Sequence, residues 1–107
     1  MDNKEVRVSQ GKPYTSFVGI SKEILKEQGV VELHGLGEAS ANVVRASEML
    51  VSLGYADLTK FETLTLKDQT EEGVIRSRAK VIIKLSRAAG FQKAYDDFNA
   101  KRGTNKP

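Results

Sequence analysis

A chain of 107 residues, with 17 basic and 14 acidic side chains and a single histidine, has room for one modest core and not for two independent ones. It contains no cysteine, which excludes disulfides, thiolate nucleophiles and Cys-based metal sites, and no apolar run reaches the length of a membrane span. A formal charge of +3 is too slight to identify a polyanionic partner, and the polar start Met1-Asp2-Asn3-Lys4-Glu5 carries the expectation that there is no secretory segment.

Residues 5–9 alternate, with Val6 and Val8 opposed to Glu5, Arg7 and Ser9, the signature of a half-buried strand. Gln10-Gly11-Lys12-Pro13 breaks the pattern as a loop. The spacing predicts a helix over 16–28. Phe17, Ile20, Ile24 and Gln28 form its stripe, Val18 and Leu25 widen it, Thr15 or Ser16 caps it and Gly29 ends it. A second strand is expected over 30–34, with Val31 and Leu33 on one face and Glu32 and His34 on the other.

Gly35-Leu36-Gly37 then leads into a helix over 38–53. Ala39, Val43, Ala46, Leu50 and Leu53 are its expected buried stripe, with Gly54 at its end. Small residues along it, such as Ala46 and Ser47, permit close packing. A third strand over 58–67 and a fourth over 75–86 flank a polar turn containing Gly73, the pattern of an antiparallel hairpin. In the fourth strand Ala79, Val81, Ile83 and Leu85 share one face; Arg76, Arg78, Lys80 and Lys84 share the other with Ile82. Phe91, Ala94, Tyr95 and Phe98 recur at helical spacing over 90–102.

This order predicts an α/β fold, β-α-β-α-β-β: a two-layer sandwich in which a mixed four-stranded sheet carries two helices on one face, plus a C-terminal helix. The first two strands need a crossover helix to run parallel, and 16–28 is long enough to be one. The other sheet face stays partly open, to be covered by a partner or by the last helix. The whole chain, 1–107, is expected to be one domain with its core over about 4–86.

Catalytic constellations are scarce. His34 lies in a strand, with no motif that brings a nucleophile and an orienting acid to it. No cluster has metal-ligand spacing, and no cofactor is implied. Gly35-Leu36-Gly37 sits where a dinucleotide fingerprint would, but Ser40 replaces its third glycine. Glu38 in the first turn of the following helix already supplies negative charge where a phosphate would bind. The chain is therefore expected not to be an enzyme.

The basic residues are more informative, because they are segregated. Residues 76–87 hold five cations and no acid, and 68–72 just before them hold three acids. Arg76, Arg78, Lys80 and Lys84 recur at every second or fourth strand position, and alternate strand side chains are spaced at ~6.6 Å, close to the phosphate repeat of a nucleic-acid backbone. The same row on an edge strand would instead guard against aggregation. Lys12 stands in a loop shaped by Gly11 and Pro13, where it either neutralises a phosphate or is simply solvated. Tyr14 either stacks on a base or packs over the helix start. Arg45 points out of the second helix, toward a binding surface or toward Glu48.

Taken together, Arg7-Val8-Ser9-Gln10-Gly11-Lys12-Pro13-Tyr14, the stretch Val31-Glu32-Leu33-His34-Gly35-Leu36-Gly37-Glu38-Ala39 running into Asn42-Val43-Val44-Arg45-Ala46-Ser47-Glu48-Met49-Leu50, and Arg76-Ser77-Arg78-Ala79-Lys80-Val81 resemble the Alba family, most closely its eukaryotic and protozoan branch. The resemblance implies the same β-α-β-α-β-β fold. It also implies a homodimer or a heterodimer with another Alba-like chain, and binding of DNA or RNA, or both, with little sequence preference. Chromatin architecture, or mRNA binding and translational control, in nucleus and cytoplasm are the expected settings; a structural subunit of a ribonucleoprotein such as ribonuclease P or MRP is the alternative. The family's Lys-Pro loop falls on Lys12-Pro13, which makes Lys12 the central phosphate contact and a candidate for acetylation. Archaeal members often carry Arg-Gly-Arg where this chain has Leu36-Gly37-Glu38. The implied contacts therefore narrow to the Lys12 loop and the hairpin, with Lys12, Tyr14, Arg45, Arg76, Arg78 and Lys80 as candidate nucleic-acid-binding residues.

Overall fold

The computed structural model describes residues 4–104. Its first strand, β1 (Glu5–Val8), buries Val6 and Val8 and exposes the residues between, as the alternation requires. Helix α1 (Tyr14–Gln28) begins two residues earlier than its hydrophobic pattern indicates. Pro13 is the cause. Its φ of −64° and ψ of 147° set the entry, and its carbonyl accepts the amide of Ser16 at 3.1 Å. Thr15 and Ser16 lie inside the first turn, and no side chain caps the helix.

The buried stripe of α1 is Phe17, Val18, Ser21 and Leu25. Ile20, expected inside, is 50% exposed, because the stripe is rotated by about one position onto the small Ser21. Gly29 ends the helix at φ +80°. Strand β2 (Val30–Leu36) follows, longer than expected. A 3-10 turn (Gly37–Ala39) leads into α2 (Ser40–Ser52). Val43, Ala46, Ser47 and Leu50 face inward from α2. Leu53, the last member of the expected stripe, is instead 53% exposed. The helix closes at Ser52, and Leu53 is its C-cap residue, its amide still bonded to the Met49 carbonyl.

Strands β3 (Ala56–Gln69) and β4 (Ile75–Arg87) form the hairpin. The sheet order is β1-β2-β4-β3. β1 runs parallel to β2, and β4 is antiparallel to both of its neighbours. β4 is therefore central from Lys80 onward, where β2 pairs with it, which removes the edge-guarding explanation for Lys80 and Lys84. The edges belong to β1 and to the long β3. Along β2 and β4, Val31, Leu33, Val81, Ile83 and Leu85 point at α1 and α2 and make the core with Val6, Val8, Phe17, Leu25, Val43 and Leu50. Both helices lie on this one face, as expected.

Helix α3 (Phe91–Thr104) does not cover the open sheet face. It leans on α1. Phe91 is buried edge-on against Tyr55, with ring centroids 5.9 Å apart, and stacks on Tyr95 at 5.6 Å. Burial pushes the Tyr55 phenol above its ordinary pKa. The ammonium of Lys22 lies 3.8 Å from the centre of the Phe98 ring, and that of Lys26 lies 4.7 Å from Tyr95. The Tyr95 hydroxyl donates to Glu23 Oε2 at 2.8 Å. These aromatic and charged partners sit on α1 or, for Tyr55, just before β3, and they hold α3 to the helix layer.

The open face carries a charged network instead. His34 Nε2 is 3.2 Å from Glu32 Oε1, and its Nδ1 is 3.8 Å from Glu5 Oε1. Lys60 lies 3.0 Å and Lys84 3.9 Å from Glu62 Oε1. The hydrogen bond from Lys60 holds the Glu62 carboxyl below its usual pKa, and the charges of Lys60, Lys84 and His34 act the same way.

Candidate nucleic-acid interface

Parallel pairing of β1 with β2 decides where the Lys12 loop goes. Both strands run toward the same end of the sheet. The loop after Val8 and the turn after Leu36 therefore emerge side by side. β4 runs the other way, so its beginning lies at this end too. β2 pairs with β4 only as far as Leu36 opposite Lys80, whereas β3 stays paired with β4 out to Gln69 opposite Ile75. Residues 65–69 and 75–79 thus form a two-stranded ribbon that projects beyond the rest of the sheet by ~17 Å, at about 3.3 Å per residue. Its tip is closed by Gly73 at φ +83° and by the Val74 amide, which donates to Thr70 Oγ1 at 3.1 Å.

The loop itself is tied down from α2. The Asn42 side-chain amide donates to the carbonyl of Ser9 at 3.0 Å and to that of Lys12 at 3.2 Å. Gln10 Nε2 donates to Glu38 Oε2 at 2.6 Å. Lys12 is exposed on this clasped loop. Tyr14, the first residue of α1, packs partly against the core. It also lines a groove of about 380 Å³ with Arg45, Glu48, Met49, Ser52 and Leu53. The ring therefore packs over the helix start and also borders a groove.

The six candidate residues fall into three groups. Tyr14 and Arg45 line one groove between the helices, and Lys12 stands on the loop just ahead of Tyr14. Arg76 and Arg78 ride on the exposed ribbon, opposite Asp68 and Leu66 in the ladder. Lys80 is separate. It is half-buried at the root of the ribbon on the open face, in a hollow of about 250 Å³ shared with Arg7, His34, Leu36 and Leu66. Asn42 and Gln10 were not singled out from the sequence, and Glu38 was read there only as a negative charge at the helix start. Their partners lie 28 to 33 positions away, beyond any local pattern.

His34 is a half-buried strand residue between two glutamates. Among the described residues no group of three or more His, Cys, Asp or Glu side chains is placed to hold a metal ion. Among the same residues no helix is long and apolar enough to cross a membrane.

The loop bearing Lys12 and the ribbon bearing Arg76 and Arg78 thus leave one end of a two-layer α/β fold. The Alba family model matches residues 4–68, and the chain belongs to the Alba family, whose fold is known for binding nucleic acid. An uncharacterized protein of Arabidopsis thaliana is 30% identical over 93 residues, spanning 85% of this chain and 71% of that one. The crystal structure of ALBA1 from Trypanosoma brucei superposes with a TM-score of 0.80 at 25% identity, covering 97% of this chain and 86% of the other. Alba from Thermoplasma volcanium shares the fold, with a TM-score of 0.67 at 19% identity over 78% of this chain and 99% of the other.

Proposed function

We propose that this Alba chain binds DNA or RNA through its phosphates, with little sequence preference, and that it works as a dimer. The observation that carries the reading is the joint position of exposed Lys12, on a loop fastened at both ends, and of Arg76 and Arg78 on a ribbon leaving the same end of the sheet. A loop cation and a reaching arm grip a backbone at two places, and neither reads a base edge. Arginine on the arm suits bidentate contact with phosphate. Glu38 in place of a family arginine does not empty the second junction, since its carboxylate holds Gln10 and thereby the loop.

Dimerisation is supported by apolar side chains left in solvent around α2 and β3. Val44 and Val51 are exposed on α2, and Leu58 and Phe61 on the helix side of β3 are 57% and 53% exposed. Such a patch marks an association surface, and a second copy would double the basic loops and arms available to one duplex. The same patch favours a second reading, a ribonucleoprotein subunit that acts mainly by protein contacts.

The test is competition binding of matched single- and double-stranded DNA and RNA across a salt series. Lys12→Glu is expected to weaken all sequences about equally and to lower the salt slope by about one phosphate contact. Unchanged affinity and slope in that variant would overturn the assignment. Preference for RNA over the matched DNA would favour the mRNA setting over chromatin.

A further inference from the structure

Among the described residues, the side chains that hydrogen-bond the Lys12 loop come from the second strand–helix junction. Residues 9–13 are all exposed, and a Cβ built on Gly11 would point into open space. The loop is therefore not packed in place. Its shape depends on hydrogen bonds that reach it from the turn Gly37–Ala39 and from the first turn of α2.

We propose that Asn42 is the positioning residue of the nucleic-acid site, an amide clasp that presents Lys12 in one place before any ligand arrives. A primary amide has two hydrogens to donate. Asn42 directs both at backbone carbonyls of one loop, Ser9 at 3.0 Å and Lys12 at 3.2 Å. The two carbonyls bracket Gln10 and Gly11, so a single side chain closes the loop around its most pliable residue. Asn42 is itself held firmly. The next residue, Val43, is fully buried against β2, which fixes the first turn of α2 relative to the sheet. Aspartate in its place would have no hydrogen to donate and would face the carbonyls with a carboxylate. Leucine would offer no donor at all. The clasp touches only backbone, so it leaves the Lys12 ammonium free to meet a phosphate. Pre-ordering removes the cost of freezing the loop at the moment of binding. The binding half of this inference rests on the reading of Lys12 as a phosphate contact; the loop-ordering half does not.

The experiment is a double-mutant cycle read with a short fluorescein-labelled duplex of mixed sequence, combined with backbone amide relaxation of the free protein. Asn42→Ala is expected to weaken binding by about five- to tenfold, the scale of losing a pre-ordered contact loop. It should leave the salt slope unchanged, because Lys12 still neutralises its phosphate. In a Lys12→Ala background the same change is expected to have no further effect. In the free protein, the amides of Gln10, Gly11 and Lys12 are expected to lose order while those of β2 and β4 do not. Asn42→Asp, which keeps the volume and removes both donors, must loosen the same amides. It covers the case in which the alanine variant folds poorly. Wild-type order at residues 10–12 in either variant would overturn the clasp. So would an Asn42→Ala loss that persists undiminished in the Lys12→Ala background. If Lys12→Ala weakens binding and Asn42→Ala does not, the positioning role alone falls. If Lys12→Ala binds like wild type, the phosphate reading falls, and the positioning role falls with it.

Discussion

Gly35 and Val43 meet so closely that no side chain fits between them. A Cβ on Gly35 would overlap the Val43 side chain and come within 3.0 Å of the Ala39 carbonyl oxygen. This contact sets the height of α2 above β2, and α2 carries both Asn42 and Arg45. Gly35→Ala is expected to cost about 1–3 kcal/mol through overpacking. The measurement is a lowered urea midpoint with unchanged m-value. Wild-type stability would mean that the helix is free to ride up, and the packing argument would fail.

A single charge should break the proposed dimer. Phe61→Glu places a carboxylate in the exposed apolar surface beside α2 without touching the core, since Phe61 is already half in solvent. Light scattering at micromolar concentration is expected to give a dimer mass for the wild type and a monomer mass for the variant, with far-UV circular dichroism unchanged. A wild-type monomer, or a dimeric variant, would move the interface elsewhere.

The charge network on the open face gives a pH dependence of known sign. The Glu62 carboxyl is held below 4.5, first by the hydrogen bond from Lys60 and then by the charges around it. A carboxylate depressed in the fold stabilises it above the unfolded-state pKa, and that stabilisation is lost as pH falls through the folded value. Glu62→Gln is therefore expected to be slightly less stable than wild type near neutrality, with the gap closing in acid. Thermal unfolding from pH 7 down to pH 3 reads this. A gap that widens in acid would contradict the assignment. The pair is exposed, so the effect is small.

Much of the fold was legible because it rests on local periodicity. Period-two alternation located β1, β2 and β4, and Gly29 at φ +80° ended α1 where expected. Errors came where a neighbour in space overrode the local pattern. Ile20 has the spacing of a core residue, yet the helix turns the small Ser21 fully inward and leaves Ile20 half exposed. Pro13 started α1 ahead of its hydrophobic stripe, through a fixed φ that no count of apolar residues registers.

The candidate site divides the same way. Its cations were visible in the sequence, because charge segregation and a Gly-Lys-Pro loop can be read along the chain. By itself the sequence determined which residues carry positive charge, the order of the elements and the family to which they belong. Only the tertiary structure decided that β4 is central, that Lys80 lies apart from Lys12, and that Asn42 fastens the loop from 30 positions away. The reason is one of range. Helical and strand periods repeat within a few residues, whereas sheet order and a side chain reaching a distant carbonyl depend on how finished elements pack.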